Sequence, residues 1–126
     1  MRIGCPKEIK NHEYRVGLTP ASVREFVSRG HEVLVQGGAG AGVGMDDPHY
    51  ATAGATLVKD AAEIFAKADM IVKVKEPQPQ ECARLKPGQV LFTYLHLAAD
   101  KAQAEALQRS GCTAIAYETV VGPDGS

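Results

Sequence analysis

Short β-compatible runs alternate with helix-start signals along the chain, and this alternation restricts the fold more than any other feature. Residues 2–5 are β-compatible and are stopped by Pro6. Thr19-Pro20 then pairs a hydroxyl N-cap with a proline at the first helical position. Val23, Phe26 and Val27 follow at i, i+3 and i+4, and Gly30 ends the helix. Residues 31–35 read as a strand. Asp47-Pro48 repeats the cap-and-proline pair and starts a short helix running to Ala53-Gly54. Residues 55–58 form a short β-like run, and Asp60 with Glu63 has the spacing of a capping box. Residues 70–74 and 90–95 are strands, separated by Pro77, Pro79, a short helix near residues 80–85 and the turn Lys86-Pro87-Gly88. Asp100 with Gln103 opens a helix that ends at Gly111, residues 112–116 are the last strand, and residues 122–125 carry turn chemistry. Such alternation implies an α/β fold: a doubly wound, mostly parallel sheet with helices on both faces, Rossmann-like or flavodoxin-like. Periodicity does not give the strand order. No repeat or low-complexity linker divides residues 1–126.

Composition narrows the function classes. A chain of 126 residues, 44% hydrophobic and 23% charged, can bury a core without a disulfide or metal. Fourteen Lys and Arg stand against fifteen Asp and Glu, a net charge of -1. That leaves no basic field to attract nucleic acid or anionic lipid, and aromatics at 6% supply few base-stacking platforms. No apolar run approaches the ~18 residues of a membrane span. The first eight residues have no apolar signal core, so a cytoplasmic protein is expected. Cys5, Cys82 and Cys112 form no C-x-x-C and read as reduced thiols. His12, His31, His49 and His96 contain no H-x-x-x-H, so no metal site is expected.

The glycine-rich run at residues 37–44 follows a strand, where a dinucleotide fingerprint would sit. No frame satisfies G-x-G-x-x-G: from Gly38, Gly40 and Gly42 the third glycine position holds Val43, Met45 and Asp47. Asp46 and Asp47 come next, and two carboxylates repel a pyrophosphate. Asp47 as an N-cap would also occupy the helix-terminal amides that such an anion needs. The run is expected to be a mobile structural loop.

Three polar residues carry a better functional claim. Arg15 follows the first strand, Lys75 ends the strand at residues 70–74, and His96 ends that at residues 90–95. In a parallel sheet these ends share one rim, the rim at which open α/β sheets bind ligands. An arginine fork holds a carboxylate through two N–H bonds. A lysine ammonium polarises a carbonyl or joins the clamp, and a histidine exchanges a proton near neutral pH. Such a trio suits a small 2-oxo or 2-amino acid. Each residue has a plainer reading. Arg15 forms a surface ion pair with Glu8 or Glu13, Lys75 is a solvated strand end, and His96 is a helix-entry or core histidine. Alternation puts Lys73 on the face of Lys75, so one of the two is ordinary surface. Tyr94 lies on the face of His96 and either lines the site or packs.

Four motifs in order carry a resemblance. Residues 6–20 (PKEIKNHEYRVGLTP), 73–77 (KVKEP), 91–99 (LFTYLHLAA) and 114–119 (AIAYET) resemble those of the alanine dehydrogenases over essentially the whole chain. The resemblance implies the N-terminal part of a catalytic, substrate-binding domain over residues 1–126. It implies interconversion of L-alanine with pyruvate and ammonia, using NAD. It further implies that Arg15 and Lys75 hold the carboxylate and carbonyl and that His96 is the acid/base. Family members are longer and bind NAD in a separate domain that is absent here, so this chain is expected to be inactive alone. A homo-oligomer is implied for the full-length protein. The α subunit of nicotinamide nucleotide transhydrogenase and the lysine-forming saccharopine dehydrogenases share the opening motif. Lys75-Glu76-Pro77 with residues 94–97 favours the alanine dehydrogenases. The alternatives are a stand-alone small-acid-binding or interaction module and a transhydrogenase domain.

Overall fold

The computed structural model describes residues 1–10, 13–93 and 101–116. The elements are β1 (Arg2–Cys5), α1 (Pro20–Ser28), β2 (Glu32–Gln36), α2 (Asp47–Ala53), β3 (Thr56–Val58), α3 (Ala61–Lys67), β4 (Met70–Val72), α4 (Pro79–Cys82), β5 (Val90–Thr93), α5 (Lys101–Ser110) and β6 (Thr113–Ala116). The strands form one six-stranded sheet in the order β3-β2-β1-β4-β5-β6. Every pairing is parallel, with Ile3 opposite Val33 and Met70, and Phe92 opposite Val72 and Ile115. The doubly wound α/β fold is borne out, and the undetermined order is 3-2-1-4-5-6.

Side-chain alternation divides the core between two faces. Ile3, Cys5, Val33, Val35 and Val72 pack with Val23 of α1 and with Tyr50 and Ala53 of α2. Leu34, Ile71, Leu91 and Ala116 pack with Ile64 and Phe65 of α3, Cys82 of α4 and Leu107 of α5. Strands buried on both faces read as near-continuous apolar runs, as these do. Thr19 caps α1 by accepting the Ser22 N–H at 3.1 Å, with Pro20 in the first turn. Tyr50 is fully buried and donates its hydroxyl to the Leu18 carbonyl at 2.7 Å, tying α2 to the segment that enters α1.

Several element ends differ from the sequence reading. The N-cap of α2 is Asp46, and Asp47 is already helical. Asp60 caps α3 without a side-chain bond, and the Glu63 carboxylate, which would return the contact in a capping box, pairs instead with Lys67 one turn on, at 2.8 Å. The reciprocal capping contact appears at α4, where the Gln78 N–H donates to Glu81 Oε1 at 2.9 Å. β4 stops at Val72, because a side-chain carboxylate captures the next free amides. Lys73 is therefore neither strand nor surface: it is 1% exposed. Tyr94 and Leu95, which the sequence reads as the end of a strand, the expected cap at Asp100 and the expected turn at 122–125 lie outside the described residues.

α3 lies close over β1 because Gly4 has no side chain. A Cβ there would stand 2.5 Å from Ile64 Cγ2 and 2.8 Å from Ala68 Cβ. Gly4→Ala is therefore expected to cost about 1–3 kcal/mol through overpacking. The measurement is the urea midpoint at unchanged m. An unshifted midpoint would mean that α3 does not pack against β1 this closely.

Candidate functional site

Strand β1 pairs with β2 on one side and β4 on the other, so the winding of the sheet reverses between β1 and β4. The carboxyl ends of neighbouring strands at such a reversal leave a crevice. Two loops meet there: residues 6–19 after β1, and residues 73–78 after β4. Gly17 lets them close, since a Cβ on it would stand 2.5 Å from the Val72 carbonyl oxygen.

Glu8 joins the loops from within. Its Oε1 accepts from Lys73 Nζ at 2.9 Å and from the Lys75 N–H at 3.2 Å, while Oε2 accepts the Val74 N–H at 2.9 Å. Lys73 Nζ also lies 3.1 Å from Glu81 Oε2. The three side chains are at most 2% exposed. A buried charge is tolerated only when paired and hydrogen-bonded, and each member of this cluster meets that condition. Burial pushes the Glu81 carboxyl above the usual glutamate range, partly offset by the Lys73 ammonium. Lys10 and Glu76 form a second ion pair between the loops.

Arg15 lies nearer the surface, 59% exposed, and its guanidinium grips Glu13, whose side chain is only 6% exposed. Nε donates to Oε2 at 3.1 Å and Nη2 to Oε1 at 2.8 Å. This is the two-point geometry by which arginine recognises carboxylates. Arg15 holds the Glu13 carboxyl below the usual range, and the Lys75 charge lowers it further. The loops that carry Arg15 and Lys75, far apart in sequence, are thus joined through Glu8. Of the two ion pairs open to Arg15, the one formed is with Glu13; Glu8 pairs with Lys73. Tyr94 and His96 lie outside the described residues, as do His12 and the fourth motif from Tyr117 onward. The sequence reading missed the roles of Glu8 and Glu81. The available signal was Lys73 itself, a lysine at an inward position of an apolar strand.

The glycine run makes no phosphate cradle. Gly38 donates its N–H to Asp47 Oδ1 at 2.8 Å, so a carboxylate holds the amide an anion would need. A Cβ on Gly40 would lie 2.4 Å from the Met45 carbonyl oxygen and 2.8 Å from the Tyr50 ring. Ala39 and Gly40 are buried while residues 41–44 are exposed, and Asp47 reaches back to the loop instead of capping α2. These residues do not fit a dinucleotide. Cys5 is fully buried and its thiol is pushed up to about 12 by burial, which leaves it inert. His31 packs edge-on against Phe26, with ring centroids 6.1 Å apart, and His49 is exposed. Among the described residues no group of His, Cys, Asp and Glu is placed to hold a metal ion. Among them, too, no helix is long and apolar enough to cross a membrane. A groove of about 740 Å³ between α4 and α5 is lined by Pro77, Pro79, Leu85 and Ala106 among others, and neither Arg15 nor Lys75 lines it. The site is therefore located by its charged groups and not by this groove.

Residues 4–126 match the family model described as alanine dehydrogenase/PNT, N-terminal domain. The chain is 56% identical over 125 residues to an alanine dehydrogenase of Halomonas elongata, covering 99% of this chain and 34% of that protein. It is 55% identical over 126 residues to one of Mycobacterium tuberculosis, covering 100% and 34%. A solved L-alanine dehydrogenase structure superposes with a TM-score of 0.96 at 52% identity, covering 100% of this chain and 35% of that one. A transhydrogenase structure from Sinorhizobium meliloti superposes at 0.87 with 30% identity, covering 94% and 35%. The chain spans about a third of the length of the curated relatives it matches.

Two outcomes follow from the charges. Lys73→Met leaves two buried glutamates without their cation, so it is expected to destabilise the fold by about 3–5 kcal/mol. A urea midpoint close to that of the wild type would show that Lys73 does not neutralise the cluster. The two shifted glutamates act on opposite sides of their ordinary titration range. The lowered Glu13 contributes stability above its unfolded value that is lost as pH falls through its folded one. The raised Glu81 contributes stability below its unfolded value that is lost as pH rises through its folded one. The stability difference between wild type and Glu13→Gln is thus expected to shrink as pH falls from neutrality into the acid range. A difference independent of pH would contradict the Arg15 contact.

Proposed function

Because the chain belongs to the alanine dehydrogenase/PNT N-terminal domain family, we propose that it supplies the substrate half of an L-alanine dehydrogenase. The reaction would interconvert L-alanine with pyruvate and ammonia, with NAD as oxidant. One observation supports this reading: at the β1/β4 crevice the Arg15 guanidinium grips a carboxylate through two N–H bonds, and its loop is tied through Glu8 to the backbone of Lys75. That arrangement suits the carboxylate of a small 2-oxo or 2-amino acid.

In this reading Arg15 binds the substrate carboxylate through paired N–H bonds. Lys75 adds positive charge beside it and polarises the carbonyl oxygen, which favours attack by ammonia at the carbonyl carbon. His96, three residues past β5, transfers the protons that the nitrogen and oxygen exchange during this interconversion. The same reading counts Tyr94 among the substrate-binding residues. The glycine run does not fit NAD, so the nucleotide is assigned to a part of the natural polypeptide outside this sequence, and the present chain alone is inactive. The same reading makes that polypeptide a homo-oligomer of the cytoplasm. The greater identity to L-alanine dehydrogenase than to the transhydrogenase, 52% against 30%, supports this reading over the transhydrogenase alternative.

The test uses the natural polypeptide that carries this sequence. Arg15→Ala is expected to raise the KM for pyruvate by about tenfold or more, as loss of a charge-assisted pair of bonds requires. His96→Ala is expected to abolish turnover while thermal unfolding stays close to that of the wild type. Undiminished pyruvate affinity in the first variant removes the clamp, and near-wild-type turnover in the second removes the acid/base.

A further inference from the structure

We propose that Glu8 and Thr93 are positioning residues for Lys75, holding its peptide at both ends so that its ammonium is presented to the substrate. The inference rests on the reading of Lys75 as a substrate contact.

Lys75 lies three residues beyond β4, in a segment that is neither strand nor helix. Its N–H donates to Glu8 Oε1 at 3.2 Å, and its carbonyl accepts from Thr93 Oγ1 at 2.7 Å. The preceding amide, of Val74, donates to the other oxygen of the same carboxylate at 2.9 Å. Side chains from two other parts of the chain thus do here what ladder bonds do within a strand. Both anchors are rigid. Glu8 is buried and fixed by Lys73, which Glu81 holds in turn. Thr93 is fully buried on β5, where its branched side chain has little rotamer freedom.

A lysine ammonium rides on four rotatable bonds and holds a useful position only if its backbone is fixed. The Glu8–Lys73–Glu81 cluster is costly to bury, and a surface loop needs no such anchor. Its carboxylate is spent on the amides of Val74 and Lys75, the point from which the proposed substrate contact projects. Thr93 supplies the opposing contact from the strand that leads toward His96.

The experiment is a double-mutant cycle in the natural polypeptide. Thr93→Val keeps the shape of the side chain and removes only the hydroxyl. It is expected to raise the KM for pyruvate about three- to tenfold, as loss of one hydrogen bond allows, with kcat and the KM for NADH changing far less. Thr93→Ser, which keeps the hydroxyl, is expected to restore the wild-type KM. In a Lys75→Met background, Thr93→Val is expected to add nothing further, because its effect passes through the missing side chain. An unchanged KM for Thr93→Val, or an equal increase with and without Lys75, overturns the positioning role. If Lys75→Met itself leaves the KM for pyruvate unchanged, the reading of Lys75 as a substrate contact fails first, and the inference with it. Should Thr93→Val lose its fold, Thr93→Ala in the same cycle gives the same comparison.

Discussion

The crevice is organised around a carboxylate that water cannot reach. β1 and β4 pair at only two positions, Ile3 with Met70 and Gly4 with Ile71, before their loops part. Beyond that point the amides of Val74 and Lys75 would face the interior without partners, and an unpaired buried N–H costs about as much as a lost hydrogen bond. Glu8 satisfies both, which places a full negative charge inside the protein. That charge requires Lys73, and Lys73 recruits Glu81 from the first turn of α4. One requirement for backbone satisfaction thus links β1, β4 and α4 in a chain of contacts.

The arrangement also separates the work of two neighbouring lysines. Lys73 is buried and spends its charge on glutamates of its own chain. Lys75 is only half-buried, and its charge bears on the Glu13 carboxylate beside Arg15. The same loop therefore carries one cation that maintains the fold and one that is proposed to meet the substrate. Gly17 makes this possible from the other side by letting the Arg15 loop lie directly on the end of β4.

Legibility in the sequence followed the range of the interaction. Thr19-Pro20 announced α1 because a cap and its helix are neighbours in sequence, and the cap formed as read. Asp47-Pro48 and the Asp60/Glu63 spacing announced helices but not their bonding. Asp47 turned to the distant Gly38 amide, and Glu63 preferred Lys67. Residues 73–74 read as strand, yet only the Lys73 amide still bonds β5, and a carboxylate 66 residues earlier in the chain takes the Val74 amide. The spacing and flanking acids of the glycine run argued against a dinucleotide site. Its packing under Tyr50 had no local signal.

By itself, the sequence determined the α/β class, the helix starts with short-range caps, the absence of a dinucleotide fingerprint in residues 37–44, and the resemblance that led to the family. Those properties rest on neighbours within a turn or two, or on the order of motifs. The tertiary structure decided the strand order, the burial of Lys73 and the pairing of Arg15 with Glu13 rather than Glu8. It also decided the joining of the Arg15 and Lys75 loops through Glu8. Each of these depends on which strands lie side by side and on how a buried charge finds its counter-charge. Periodicity carries no record of either, because it registers which face a residue takes and not what stands opposite it.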